Sequence, residues 1–139
     1  SDPRKYDSPW MFWHDGEAYL VGRRQLTETG NYDLSRGIAT VTDRAAQTVR
    51  NQLAYSNSRK RCSLWRYDQA SDRIVYVLDL PSRGDTCFPA GLSLTTPGEF
   101  AIYNYSSDVD GPDVAWGVGQ HGPTYIYRTV LRFTRRSGS

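Results

Sequence analysis

Asp7 and Asp85 are the carboxylates on which any chemistry in this sequence would turn. Each opens a segment of the same form, Asp7-Ser8-Pro9-Trp10 and Asp85-Thr86-Cys87-Phe88: an Asp, a small hydroxyl residue, one variable position and a large aromatic. Two carboxylates facing one pocket are what glycoside hydrolysis requires, one protonated as acid and one ionised as base or nucleophile. The competing account is structural. An Asp followed by Ser or Thr also holds a turn by accepting backbone amides, and because the motif occurs twice this account is the simpler one.

Other side chains could serve the same pocket. Arg23 or Arg24 could fork onto a sugar carboxylate or hydroxyls, or could simply end an exposed strand. Trp10 and Phe88 could stack on sugar faces, although aromatics on inner strands are more often core. Trp116 and His121 lie in the Gly-rich loop 107–123, and loops so placed carry function disproportionately. His14, beside a tight turn, reads as exposed. Asp108, Asp110 and Asp113 lack the twelve-position loop ending in Glu that would hold Ca²⁺. With no phosphate loop, nucleophile elbow or zinc motif in the chain, neither a metal nor a cofactor is expected.

The elements that must position these residues come in two sets. Each Asp motif is followed by an apolar run, a Gly-containing turn and a second apolar run, and both second runs restart with Gly-Glu, at Gly16-Glu17 and Gly98-Glu99. A repeat of this kind is sought before anything else. The first set predicts strands at 10–14, 17–24, 62–67 and 74–80, with Asp15-Gly16 as a two-residue hairpin signal. The second predicts strands at 88–94, 99–106 and 124–133, and lacks a fourth. Within the first set, between 17–24 and 62–67, lies a polar insertion, 25–61. Its part Thr27–Asp33 is turn-rich, and Thr42 to Tyr55 predicts a short helix capped by Asp43 or Thr42, with Ala45, Val49 and Leu53 on one face.

Four antiparallel strands per unit, in series, is the sequence sign of a propeller blade. The expected fold is therefore all-β: two four-stranded antiparallel β-propeller blades, the second incomplete, part of or assembling into a five- or six-bladed propeller. In a single domain spanning 1–139, blade one covers about 6–81 with its insertion, and blade two about 82–133. A single antiparallel sandwich of seven strands is the alternative. In a propeller the innermost strand of each blade lines the channel, which would set Asp7 and Asp85 at equivalent points of neighbouring blades.

Composition bounds the rest. The chain has 139 residues, enough for one ordinary domain, and its apolar content is biased to aromatics, with ten Tyr and four Trp against one Met. Such residues suit half-wet sheets. A formal charge of +2 with scattered basic residues does not point to nucleic acid. Arg59-Lys60-Arg61 and Arg135-Arg136 read as solvated loop and tail. No stretch approaches the roughly 18 apolar residues of a membrane span, and Ser1 to Lys5 has no signal-peptide core, so no membrane partner is expected and the compartment stays open. Cys62 and Cys87 fit no metal spacing and read as small buried residues at strand starts. Their spacing neither requires nor excludes a bridge between them.

Four blocks carry a family resemblance. Arg61-Cys62-Ser63-Leu64-Trp65-Arg66, the run Asp79-Leu80-Pro81-Ser82-Arg83-Gly84-Asp85-Thr86, and Tyr103-Asn104-Tyr105-Ser106-Ser107 resemble the last blades of sialidase-like bacterial propellers. Tyr6-Asp7-Ser8-Pro9, with Tyr19 to Arg24, is similar to blades of five-bladed glycosidases of the arabinanase and xylosidase type. The resemblance spans most of the chain outside 25–58 and implies a propeller acting on a glycan. There are departures. The nearest match to a sialidase Asp-box, Ser107 to Asp113, has the wrong spacing, and the family's three arginines and Tyr-Glu pair have no counterparts. The arabinanase-type acid would fall at Asp7, one methylene shorter than Glu.

These readings combine into one expectation, a glycoside hydrolase-like propeller with catalytic Asp7 and Asp85. Trp10, Arg23, Arg24, Phe88, Trp116 and His121 would bind substrate. The expected partner is a glycan or oligosaccharide, with self-association to complete a ring. The alternatives are a non-catalytic glycan-binding or scaffolding module, and a propeller piece with no activity of its own.

Overall fold

The computed structural model describes residues 6–26 and 44–134. Seven strands form two antiparallel sheets, neither closed on itself. The first contains β1 (Asp7–His14), β2 (Glu17–Gln25), β3 (Lys60–Asp68) and β4 (Arg73–Leu80), in the order β1-β2-β3-β4. The second contains β5 (Ala90–Ser93), β6 (Glu99–Ser106) and β7 (Tyr125–Arg132), in the order β5-β6-β7. Each strand pairs with the one before it, so both sheets are simple meanders. The all-β architecture and the division into four and three strands follow the sequence pattern closely.

Local chemistry explains the hairpins. Asp15 and Gly16 have φ of 51° and 78°, the two positive values that a tight two-residue turn needs to match the strand twist. The repeated Gly-Glu has a structural meaning as well. Glu17 accepts a hydrogen bond from Arg66 of β3 at 2.6 Å, and Glu99 accepts one from Arg132 of β7 at 2.7 Å. In both sheets the glutamate after the turn reaches an arginine on the next strand of its sheet.

The two sheets bury one shared core. Phe12, Tyr19, Val21, Leu64 and Leu80 from the first meet Phe100, Ile102 and Leu131 from the second. Phe12 and Phe100 lie 4.6 Å apart between ring centroids. A disulfide joins Cys62 at the start of β3 to Cys87 ahead of β5, with Cα atoms 5.1 Å apart. The two cysteines are buried, as expected, and the question of their pairing is thereby answered. Spacing along the chain could not show it, because the bridge runs between sheets.

The helix expected in the insertion is present as α1 (Arg44–Ser56), but it buries a different face. Val49 and Leu53 are exposed, whereas Asn51 and Tyr55 are buried. The helix docks through a polar contact rather than an apolar stripe, so hydrophobic periodicity pointed the wrong way. Its C-terminal end is held by Lys60, whose ammonium donates to Tyr55 O at 2.5 Å and to Ser58 O at 3.2 Å, a cation at the negative end of a helix. The turn-rich part Thr27–Asp33, the cap candidates Thr42 and Asp43, and Arg135-Arg136 lie outside the described residues.

Candidate functional site

The site forms around Arg23, and a β-bulge brings the first aspartate to it. Along β1, Trp10 and Phe12 point toward the shared core, opposite Val21 and Tyr19. Strict alternation would turn Asp7 to the other face. The register shifts between Asp7 and Trp10, however, so that Asp7 lies opposite Arg23, and Ser8 takes a left-handed φ of 48°. One extra residue rotates the strand end and aims the Asp7 side chain at Arg23. Pro9 fits here because β1 is an edge strand and its missing N–H breaks no ladder.

The second aspartate arrives on the segment 83–88, which side chains of β6 clamp in place. Arg83 N–H donates to Ser106 Oγ at 2.8 Å, Asp85 N–H to Ser107 Oγ at 3.0 Å, and Phe88 N–H to Asn104 Oδ1 at 3.2 Å. Thr86 Oγ1 donates to Tyr105 O at 2.9 Å. The run Asn104-Tyr105-Ser106-Ser107 thus supplies the holding groups for Gly84-Asp85-Thr86. Two glycines make the packing tight. A Cβ on Gly84, whose φ is 54°, would sit 2.6 Å from Ser107 Oγ, and one on Gly119 would sit 2.3 Å from the Asp85 nitrogen.

Arg23 itself is buried, at 8% exposure. Its Nε donates to Thr86 O at 2.5 Å, Nη2 to Tyr105 Oη at 3.1 Å and to Cys87 O at 3.5 Å, and Nη1 to Tyr55 Oη at 3.3 Å. Asp7 Oδ2 lies 3.6 Å from Nη1 and accepts a hydrogen bond from the Tyr55 hydroxyl. Asp85 Oδ1 accepts one from the Tyr105 hydroxyl at 3.3 Å. The Trp116 ring, on the short helix α2 (Trp116–Gly119), covers the guanidinium with its centroid 5.2 Å from Cζ. The result is a symmetric arrangement: one cation, two tyrosines, and beyond each tyrosine a carboxylate.

Burial shapes the proton chemistry here. It pushes the Tyr55 hydroxyl well above the usual phenol range, and the Asp7 hydrogen bond adds to this while the one with Arg23 opposes it. Tyr105 is raised chiefly by burial too, against the charge of Arg23 and with that of Asp85. For Arg23, burial works against the charge, but the hydrogen bond with Tyr55 and electrostatic attraction to Tyr55, Tyr105 and Asp7 outweigh it and hold the guanidinium above its ordinary value. Both hydroxyls therefore remain donors and Arg23 a cation. Trp116 Nε1 is buried with no hydrogen-bond partner among the described residues, a donor of the kind that a ligand or ordered water satisfies.

Of the residues singled out from sequence, Asp7, Asp85, Arg23 and Trp116 come together. The others do not. Arg24 follows Arg23 on β2 and so points to the opposite face. There it grips Asp79 through Nη2 at 2.7 and 3.0 Å, and lies 5.0 Å from the Tyr76 ring centroid. Trp10 is packed between the sheets, 4.8 Å from Phe12 and tight against Gly91. Phe88 is 68% exposed. His121 is exposed in the turn after α2, where its N–H donates to Val118 O at 3.1 Å.

Tyr55 and Tyr105 were not foreseen. Tyr105 stood in a quoted motif without a role, and Tyr55 carried no signal, since it lies on the helix face that periodicity assigned to solvent. Comparison of the chain with protein-family models, with curated proteins and with solved structures finds no match.

Proposed function

We propose that this chain is a glycan-binding part of a β-propeller, with the sugar held where Asp7, Arg23, Asp85 and Trp116 meet. The observation that carries this reading is the convergence of the two Asp motifs on one buried guanidinium beside an aromatic ring. Carboxylates and guanidinium groups fork onto vicinal hydroxyls, and an indole offers an apolar face to the C–H side of a sugar ring. The propeller reading draws on two in-order antiparallel meanders that share a core. Two such units are too few to close a ring, so further blades would come from additional copies or from a longer protein.

Binding is favoured over hydrolysis by how the carboxylates are engaged. Each already accepts a tyrosine hydroxyl. Binding asks only that a carboxylate oxygen also accept a sugar hydroxyl, whereas hydrolysis asks in addition that one carboxylate carry a proton. Hydrolysis is the second reading, favoured by the approach of two carboxylates to one centre, with Asp7 and Asp85 as the pair.

A panel of neutral oligosaccharides tests both, scored for saturable binding by calorimetry and for release of reducing ends. Binding without release, weakened about ten-fold by Asp85→Asn and retained by Phe88→Ala, is the expected result. Release of reducing ends that is abolished in both Asp7→Asn and Asp85→Asn would establish hydrolysis instead. Absence of any saturable sugar binding would refute the glycan reading.

A further inference from the structure

The repeated Gly-Glu turns frame a second feature, at the end of the strands away from Arg23. Seven residue steps along β1 separate Asp7 from His14, a distance of about 23 Å along an extended chain. At that end the β1–β2 turn and the β5–β6 turn come together, one from each sheet, around a groove of about 770 Å³. His14, Asp15, Glu17, Tyr19 and Phe133 line it, along with Pro97-Gly98. Its volume lies within the range of small-molecule sites.

The floor is aromatic and the rim acidic. Phe133 stands 4.3 Å from the His14 ring and 4.8 Å from Tyr19, centroid to centroid. Asp15 is exposed on its turn. Glu17 accepts the Tyr19 hydroxyl at 3.0 Å and the Arg66 guanidinium at 2.6 Å. Among the described residues no Lys or Arg belongs to the lining, and the guanidinium beside it, Arg66, is already paired with Glu17. Gly98 allows the close approach of the two turns. Its φ is 79°, and a Cβ there would lie 3.2 Å from Phe133 O and 3.5 Å from His14 Cε1.

π-faces attract cations through the ring quadrupole, and a carboxylate nearby adds Coulomb attraction. An anion would meet repulsion from Asp15 and Glu17. We propose that this groove is a second binding site, for a small organic ammonium ion, separate from the Arg23 cluster. The ammonium head would pair with Asp15 and share the Glu17 carboxylate, whose two oxygens already accept from Arg66 and Tyr19, and its alkyl part would lie on Phe133 and His14. This reading does not depend on the glycan reading of the first site.

The test is an amide chemical-shift titration of the full chain with n-butylammonium, and with 1-pentanol as its neutral isostere. Saturable shifts at His14, Gly98 and Phe133 are expected with butylammonium, and binding of the alcohol at least about five-fold weaker. Asp15→Asn should weaken butylammonium by a similar factor of about five without unfolding the chain, since Asn tolerates the left-handed φ of that position. Glu17→Gln provides the second variant. No saturable shift at these residues, equal binding of the alcohol, or native affinity in both variants would overturn the proposal. Asp85→Asn leaves this titration unchanged, so failure of one site is distinguishable from failure of the other.

Discussion

Breaking the Cys62–Cys87 disulfide should remove a large share of the stability of this fold. The bridge closes a separation of 25 residues. In the chain-entropy account, a loop of that length withdraws about 12 cal/mol/K from the unfolded ensemble, or about 3.5 kcal/mol at 25 °C. Domains of this size are stable by about 5–15 kcal/mol, so the loss is a sizeable fraction of the total. With a urea dependence of about 2 kcal/mol per molar, the unfolding midpoint should fall by about 2 M. The assay compares oxidised chain, reduced chain and the double variant Cys62→Ala/Cys87→Ala by tryptophan fluorescence in urea. Since both sulfurs are buried at 0% exposure, the oxidised chain should resist mild reductant until urea opens it. A midpoint shift below about 0.5 M, or rapid reduction of the native chain, would refute the reasoning. The first result would mean that constraint of the unfolded chain contributes little. The second would mean that the two sheets separate readily around the bridge.

The two adjacent arginines should respond very differently to loss of their forks. Arg23→Lys strips several bonds from a buried network and should cost about 3 kcal/mol, whereas Arg24→Lys disturbs a partly exposed pair with Asp79 and should cost about 1 kcal/mol or less; urea melts of both variants give the comparison. Gly119→Ala forces a methyl against the Asp85 backbone and should destabilise by about 2 kcal/mol. Gly16→Ala meets no atom within 4 Å and should cost about 1 kcal/mol, from its left-handed φ alone. In acid, Asp113 should be a point of weakness. Its carboxyl is held below the usual range, first by the Arg61 hydrogen bond, so its contribution is present above the unfolded value near 3.8 and lost as pH falls through the lower folded value. Asp113→Asn should flatten that part of a stability profile. In alkali, Tyr19 is pushed up to about 12, first by burial and then by Glu17, with Tyr55 and Tyr105 also raised. These three phenols should ionise late in an ultraviolet titration, with stability falling above pH 10 as the unfolded chain releases its protons first.

Most of the sheet framework was legible, because each strand carries a local signal. Ile74-Val75-Tyr76-Val77 is a continuous β-branched and aromatic run, and Asp15-Gly16 names its own turn. The pairing of Cys62 with Cys87 was not legible, since it depends on how two sheets face each other. The bulge at Ser8 explains why Asp7 could be suspected from sequence but not placed. A shift of one residue decides which face a side chain takes, and nothing in Ser8-Pro9 announces that shift unambiguously. Arg23 and Arg24 show the converse: alternation alone should have separated them. Tyr55 remained hidden because α1 buries a phenol for its hydroxyl rather than for its apolar area, and patterns of hydrophobicity do not register that choice.

The acceptors around Arg23 come from several parts of the molecule: Asp7 from the first sheet, Tyr105 from the second, Thr86 and Cys87 from the segment joining the sheets, and Tyr55 from the helix inserted between β2 and β3. No one part contains the site. It behaves as a logical conjunction, reading true only when both meanders have formed and met face to face. A partly folded chain presents two unrelated aspartates and an arginine still bathed in water, so the binding proposed for this centre would also certify that assembly has finished.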